Sequence, residues 1–296
     1  MPDGIGERLE WQQTGDRSGA EKCQAVQMGT LSKRLGQLAA RSFESESSNI
    51  IKTASANKRG LSKLLDSTLR TSHDMKVFGL GTAASMANRD RYARFTLSMH
   101  AVYHTMERSF DTVPSAAVAS VWEPFGEQLR RASALREDAE EVLGPLTVLP
   151  PPSAATAAYV TAIEDAARAD GADGGGRLLG HLYCRYFADL FGGQALSAPY
   201  RYALGLAPTS PRHYDFGPFG ADRRASIEAI YEALNAAGET LRDDRARDAV
   251  LVETRAAFGH NVAVYSEEGR LVTDGMRGAL NMALGFASAK CAPKRA

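Results

Sequence analysis

Apolar residues recur every three or four positions along most of the chain after residue 60, which is the spacing of one face of an α-helix. Leu61, Leu65 and Leu69 form the first such stripe. Further helices are predicted near 92–110, 155–168, 178–196, 227–234, 251–265 and 273–290. No segment keeps the alternation typical of a half-buried strand. The pattern therefore predicts an all-α fold, a single irregular helical bundle.

Prolines and composition shifts predict how the chain is divided. Pro114 and Pro124 predict short or kinked helices in their region. The proline-rich turn at 149–153 is predicted to lie within the domain and not between domains. We expect residues 1–60 to be an N-terminal extension, and residues 61–296 to form the helical domain.

The extension is basic in its second half. No acidic residue occurs between Lys22 and Phe43, where Lys33, Arg34 and Arg41 are interspersed with leucines. This pattern is typical of a plastid or mitochondrial transit segment displaced from the start of the chain. A flexible polar tail on a cytoplasmic protein is the alternative, because residues 1–21 contain five acids.

Composition argues against several classes of partner. Lysine plus arginine equal aspartate plus glutamate at 35 each among 296 residues, so no global field favours nucleic acid or an anionic membrane. The three cysteines are scattered and predict no disulfide framework. No apolar run approaches the roughly 20 residues of a membrane span, so we expect a soluble protein.

The segment 178–196 carries two stripes of different chemistry. One stripe is apolar, and in the other His181, Arg185 and Asp189 follow each other at intervals of four. Gly192 and Gly193 come directly afterwards, although a glycine inside a helix costs about 1 kcal/mol relative to alanine. We expect a kink there that brings the main chain close to a ligand; a helix C-cap or a tight helix crossing is the alternative.

The pattern Tyr-x-Arg-Tyr-x-x-Asp-Leu-x-Gly-Gly-Gln at 183–194 resembles the distal-helix signature of the biliverdin-producing heme oxygenases. The resemblance covers about residues 61–270. It implies that Asp189 organises water that delivers protons to iron-bound oxygen, and that Gly192, Gly193 and the residue at 188 lie against the porphyrin. A carboxylate bridged by water relays protons without binding the metal.

Two further matches extend this resemblance. His73 precedes the Tyr103-x-x-x-Glu107 pattern by about thirty residues, which implies that His73 is the axial iron ligand. Ala257-Phe258-x-x-Asn261 matches the C-terminal helix of the family. The resemblance implies that Asn261 joins Tyr103, Arg185 and Asp189 in a network around distal water, and that Phe258 lines the pocket.

Five positions depart from the family pattern. Ala188 replaces the usual glycine before the aspartate, and Phe191 replaces the serine before the paired glycines. Val77 stands where a glutamate often orients the proximal histidine, and Glu228 and Glu232 flank a helix that usually brings basic residues to the heme propionates. These departures leave two interpretations open, a divergent enzyme and a degenerate site.

The resemblance implies oxidative ring opening of heme to biliverdin, carbon monoxide and ferrous iron. Heme would be both substrate and cofactor, and electrons would come from an external donor, either ferredoxin or an NADPH-dependent reductase. The alternative is a non-catalytic relative that binds heme or another tetrapyrrole, or that is a structural subunit of a larger assembly. A helical hydrolase or a carboxylate-bridged metal oxidase is disfavoured, because the sequence has no Gly-x-Ser-x-Gly elbow and no Glu-x-x-His pairs.

Overall fold

A computed structural model describes residues 56–70, 75–191, 193–217 and 223–291. These residues all lie in one compact unit, 45–296. Within the described ranges the regular structure is entirely helical, without strands. The predicted all-α fold is therefore confirmed. No helix in these ranges is both long and apolar enough to cross a bilayer.

The first helices of the fold are α1 Gly60–Arg70, α2 Met75–Ser85, α3 Arg89–Thr112, α4 Ala116–Leu129, α5 Ala132–Leu143 and α6 Ala154–Asp173. The segment 178–191, here called the signature segment, contains α7 Leu178–Leu182, a π-helical turn Tyr183–Phe187 and α8 Ala188–Phe191. A 3₁₀ turn Gly193–Leu196, α9 Ser197–Leu204 and a second 3₁₀ turn Arg212–Tyr214 follow. The last helices are α10 Arg223–Thr240, α11 Asp244–Ser266 and α12 Leu271–Cys291.

Local sequence explains where several helices begin and end. Asn88, Ser115, Ser153 and Asp243 each accept a hydrogen bond from the backbone N–H three residues later, which caps α3, α4, α6 and α11. Gly174 ends α6 with a φ of 69°, a left-handed conformation that favours glycine. The proline-rich turn thus leads directly into α6 at Ser153.

The apolar stripe of the signature segment lies at the centre of the core. Leu178, Leu179, Leu182, Tyr186 and Leu190 are all fully buried. Helices α3, α6 and α11 pack around this segment. Burying five large side chains there gives the segment a fixed position, with each contributing about 1.5–3 kcal/mol.

The last helix packs closely onto α2. A Cβ atom added at Gly278 would lie only 1.7 Å from the carbonyl oxygen of Ala83. Asn281 donates from Nδ2 to the carbonyl oxygens of Met86 and Ala87, which follow the end of α2. Two helix backbones therefore approach each other without an intervening side chain.

Residues Ala56–Lys58 form a 3₁₀ turn that packs onto α10. The Ala56 N–H donates to Glu228 at 3.0 Å, and Arg59 pairs with Glu232 at 2.5 Å. Glu228 and Glu232, which the family resemblance placed on the helix near the heme propionates, therefore bind residues at the start of the described chain. The predicted boundary between residues 60 and 61 stays a prediction.

Candidate active site

The helical geometry changes in the middle of the signature segment. Residues Tyr183–Phe187 form a π-helical turn between two short α-helical pieces. Such turns insert an extra residue into a helix and are frequent at functional sites. The sequence predicted an irregularity at Gly192–Gly193; Gly192 lies outside the described residues, and the observed π turn begins nine residues earlier.

Four polar residues that the sequence singled out meet in the interior. Tyr103 donates its hydroxyl proton to Asp189 Oδ2, and Arg185 Nη2 lies 3.2 Å from the same oxygen. Arg185 Nη1 donates to Asn261 Oδ1 at 3.1 Å. Helix α3, the signature segment and α11 each supply part of this group, here called the polar network.

All four members are buried. Tyr103 is fully buried, and Arg185, Asp189 and Asn261 are 3%, 5% and 1% exposed. Burying a charged pair costs free energy that is offset only when its remaining polar atoms are also bonded. Arg185 Nε has no hydrogen-bond partner in the described part of the chain. A single unpartnered N–H on a buried guanidinium fits a site that orders water or a ligand.

Asn261 connects the network to a second set of residues. Its amide nitrogen donates to the Ala257 carbonyl at 2.9 Å, to the Tyr159 hydroxyl at 3.3 Å and to Cys184 Sγ at 3.4 Å. Burial raises the pKa of Cys184 to about 12, so this thiol stays protonated at neutral pH. Cys184 is therefore a small buried side chain of the core.

The electrostatics of the network keep its charges in place. Burial raises the pKa of Tyr103 well above its ordinary value, so this phenol stays a proton donor. Burial lowers the pKa of Arg185, but Asp189 and the neighbouring tyrosines, Tyr103 foremost, together raise the pKa well above its ordinary value and hold the guanidinium protonated. The arrangement can hold a proton on Tyr103 next to a carboxylate that accepts it.

Ala188 is the one residue of 178–190 that is not buried; it is partly exposed. The methyl group that replaces the family glycine therefore lies where this otherwise buried segment borders open space. Phe258, from α11, is 9% exposed and belongs to the core. The side chain of Phe191 lies outside what the structure describes.

Gly193 contacts an aromatic ring of the chain itself. A Cβ at this position would lie 2.4 Å from Cδ1 of Tyr214. Tyr214 is held by its neighbour His213, whose Nδ1 lies 2.7 Å from the buried carboxylate of Asp138 on α5. The glycine is thus needed for close packing within the chain, and the expected approach of its backbone to a ligand stays a prediction.

The structure describes only part of the region around the predicted iron ligand. His73 lies outside the described residues, so its role as iron ligand stays a prediction. Val77, four residues later on α2, is partly buried. Sequence analysis did not single out three buried tyrosines near the network, Tyr159, Tyr200 and Tyr265. Apolar periodicity does not distinguish a tyrosine of the core from one whose hydroxyl forms hydrogen bonds in a functional site.

The fold is an all-α bundle with a buried polar network, and comparisons with known proteins identify its family. The family model described as heme oxygenase matches residues 61–267. The chain therefore belongs to the heme oxygenase family, as the sequence resemblance predicted.

Individual relatives are distant. The chain is 29% identical to heme oxygenase 1 of Pongo abelii over 184 residues. The matched region is 60% of this chain and 61% of that protein. Heme oxygenase 2 from Chlamydomonas reinhardtii, solved without heme, has a TM-score of 0.61 at 23% identity, covering 70% of this chain and 96% of that chain. Heme oxygenase-1 from the cyanobacterium Synechocystis, solved with heme, has a TM-score of 0.59 at 23% identity, covering 78% and 99%. The structural likeness confirms the heme oxygenase fold.

Proposed function

We propose that this protein is a heme oxygenase that opens heme to biliverdin, carbon monoxide and ferrous iron. The observation that carries the proposal is the buried polar network of Tyr103, Arg185, Asp189 and Asn261, next in sequence to the partly exposed Ala188. A helix with a purely structural role gains nothing from a buried ion pair, because an apolar core of similar volume is often as stable.

The residues present fit a heme. His73 would supply the axial ligand, while Ala188, Gly192, Gly193 and Phe258 would line the pocket. Heme would supply both the substrate ring and the iron that activates oxygen. The chain's own part is to hold protons: Asp189 accepts from Tyr103 and Arg185, and Asn261 fixes the guanidinium.

The electrons and the compartment are proposals of the same kind. A ferredoxin or an NADPH-dependent reductase would supply the electrons, as the family resemblance implies. A plastid or mitochondrial location would follow if the basic stretch at 22–43 directs import, and a cytoplasmic location would follow otherwise.

Asp189→Asn tests the proton-handling role. We expect hemin to bind with a Soret band like that of the parent, because Asp189 is proposed to hold water and not iron. Biliverdin formation with a supplied ferredoxin system should fall by about 10²-fold or more, as expected for loss of a general acid–base group. Asp165→Asn is the matched control, since this carboxylate is exposed and pairs with Arg168 at the surface. A normal biliverdin yield from Asp189→Asn would contradict the proposal.

His73→Ala tests the axial ligand. The ferric spectrum should lose its histidine-ligated form, while the exposed His104→Ala control keeps it. An unchanged spectrum would assign the iron to another residue.

A non-catalytic tetrapyrrole-binding protein, free or within a larger assembly, is the second candidate. The methyl group of Ala188 favours it, because the family pattern has a glycine at this position. The Tyr214 ring also favours it, because the ring already packs against Gly193, which the proposed heme would have to approach. Hemin that binds to the parent but is never opened, with either electron donor, would support this candidate.

A further inference from the structure

Three oxidisable aromatic side chains lie in series from the polar network toward the surface. The Tyr103 and Tyr186 rings meet edge to face with centroids 4.8 Å apart. The Tyr186 and Trp122 rings follow at 5.9 Å. Electron tunnelling falls steeply with distance, so rings in near contact exchange electrons much faster than isolated ones.

Each of these three side chains donates a hydrogen bond to its own carboxylate. Tyr103 donates to Asp189, Tyr186 donates to Glu107 at 3.4 Å, and Trp122 Nε1 donates to Asp111 at 2.7 Å. A phenol or indole that loses an electron becomes a strong acid. A hydrogen-bonded carboxylate takes the released proton over a short distance and returns it when the ring is reduced again.

The outer end of the series reaches solvent. Trp122 is 6% exposed, and the side chain of its partner Asp111 is 40% exposed. Arg130, whose Cζ lies 5.2 Å from the Trp122 ring centroid, also pairs with Asp111. A small reductant in solution can therefore approach this end.

Packing of the aromatic rings does not by itself require the carboxylate partners. Tyr92 is also fully buried and lies 5.4 Å from the Tyr200 ring, yet its hydroxyl has no hydrogen-bond partner among the described residues. This fold thus accommodates a buried tyrosine without a carboxylate. The pairing of three successive rings with three acids distinguishes the series from ordinary core aromatics.

We propose that Tyr103, Tyr186 and Trp122 form a hopping route that conducts oxidising equivalents between the buried site and the surface. A peroxide-derived one-electron oxidant at the site removes an electron from Tyr103, and the phenol proton passes to Asp189. Tyr186 then reduces the Tyr103 radical, giving its own proton to Glu107 while Asp189 returns the first. Trp122 reduces Tyr186 in the same way with Asp111. A thiol or ascorbate-type reductant in solvent finally supplies one electron to Trp122.

The net reaction moves one electron from an external reductant to the oxidant, and every carboxylate recovers its original state. The use of this route to protect the site during unproductive oxygen chemistry rests on the proposed function. The existence of the route does not, because it depends only on residues of this chain.

The test uses the full-length heme-free protein. Tris(bipyridine)ruthenium(III), generated by a light flash in the presence of persulfate, is the one-electron oxidant. Trp11→Phe and Tyr202→Phe form the background, which removes the chain's other tryptophan and a tyrosine that is 41% exposed. Indolyl and phenoxyl radicals are then followed by their distinct visible absorption.

Each hop of the route is reversible, so without a reductant in solvent the oxidising equivalent placed on Trp122 moves back toward Tyr103. We therefore expect the Trp122 radical to decay as phenoxyl radicals form. Tyr186→Phe should abolish that phenoxyl growth and prolong the indolyl radical, and Trp122→Phe should remove both signals. Tyr92→Phe is the matched control and should behave like the parent. Glu107→Gln keeps the Tyr186 ring and should slow phenoxyl formation, so it remains informative if Tyr186→Phe folds poorly.

Identical indolyl decay in Tyr186→Phe and Tyr92→Phe would overturn the route. A second measurement separates this outcome from failure of the proposed function: hemin binding is scored independently by its Soret band. A protein that shows radical transfer without binding hemin keeps the route and loses the function. A protein that binds and opens hemin without radical transfer keeps the proposed function and loses the route.

Discussion

Glu107 shows how one buried residue connects two helices and the site. Its Oε1 atom accepts from the backbone N–H groups of Arg131 and Ala132 at 2.6 and 2.9 Å, so a side chain of α3 caps the start of α5. The same oxygen faces the hydroxyl of Tyr186. Burial raises the pKa of Glu107, although the two backbone donors act in the opposite direction.

Glu107→Gln should change the pH dependence of stability. A carboxyl group whose pKa is raised in the folded state binds its proton more tightly there than in the unfolded chain. Its favourable contribution is therefore present below the unfolded pKa of 4.5 and is lost as pH rises through the folded value. Glutamine does not titrate, so the free energy of unfolding of Glu107→Gln minus that of the parent should increase from acid to neutral pH.

Urea unfolding of both proteins across that pH range measures this difference. Glu127→Gln, an exposed glutamate on α4, is the control and should show a smaller change. A difference that decreases with pH would mean that the two backbone donors outweigh burial at Glu107.

At the scale of elements, the contact between α12 and α2 depends on glycine. Gly278→Ala would place a methyl group 1.7 Å from the Ala83 carbonyl oxygen, and backbone on both sides cannot yield locally. We expect the free energy of unfolding to fall by about 1–3 kcal/mol, as for other overpacked sites. Denaturant unfolding measures this loss.

Gly259→Ala is the matched control for that substitution. Gly259 lies inside α11, and a Cβ there would meet no atom within 4 Å. Alanine should therefore stabilise the helix by about 0.5–1 kcal/mol. If both variants shift stability in the same direction, steric contact at α2 is not the cause.

The helices also show how much of the structure could be predicted from the sequence. The predicted helix at 92–110 is found at Arg89–Thr112, because its apolar spacing persists over many turns and Asn88 supplies a cap. The π turn at Tyr183–Phe187 could not be predicted, since one extra residue in a single turn barely alters the periodicity. The hydrogen bond from Arg185 to Asn261 spans 76 positions, so only the family resemblance pointed to it. Glu107 was noticed for its spacing from Tyr103, whereas its capping of α5 became visible only in three dimensions.

At the scale of the whole molecule, the start of the described chain is secured by α10. Ala56 is fully buried, and its carbonyl oxygen accepts from Asn235 Nδ2 at 2.9 Å. The same Asn235 accepts from the Ser62 N–H at 3.0 Å. Residues 56–59 thus tie the start of the described chain to α10 and α1.

Two truncations should separate the extension from the helical domain. Deleting residues 1–50 should leave the thermal unfolding midpoint unchanged, whereas deleting 1–59 also removes the contacts of Ala56 and Arg59 with α10. The buried Asn235 and Ser62 groups would then lack partners, and stability should fall by about 1–3 kcal/mol. Calorimetry of both proteins decides this, and an equal loss in the two would place the boundary before residue 50.

The π turn makes the length of the signature segment as important as its residue types. Each residue of an α-helix advances the chain by about 100° around the axis. Deleting one residue from 183–187 would remove the extra residue of the π turn and leave α8 in nearly the same orientation, whereas deleting one from α7 would rotate α8 relative to the start of the segment by about that angle. After a deletion in α7 the carboxylate of Asp189 would turn away from the Tyr103 hydroxyl, although every side chain of the network would still be encoded. The position of a one-residue gap in this segment therefore matters as much as its presence, and an alignment that places the gap outside the π turn would pair residues that do not face the same site.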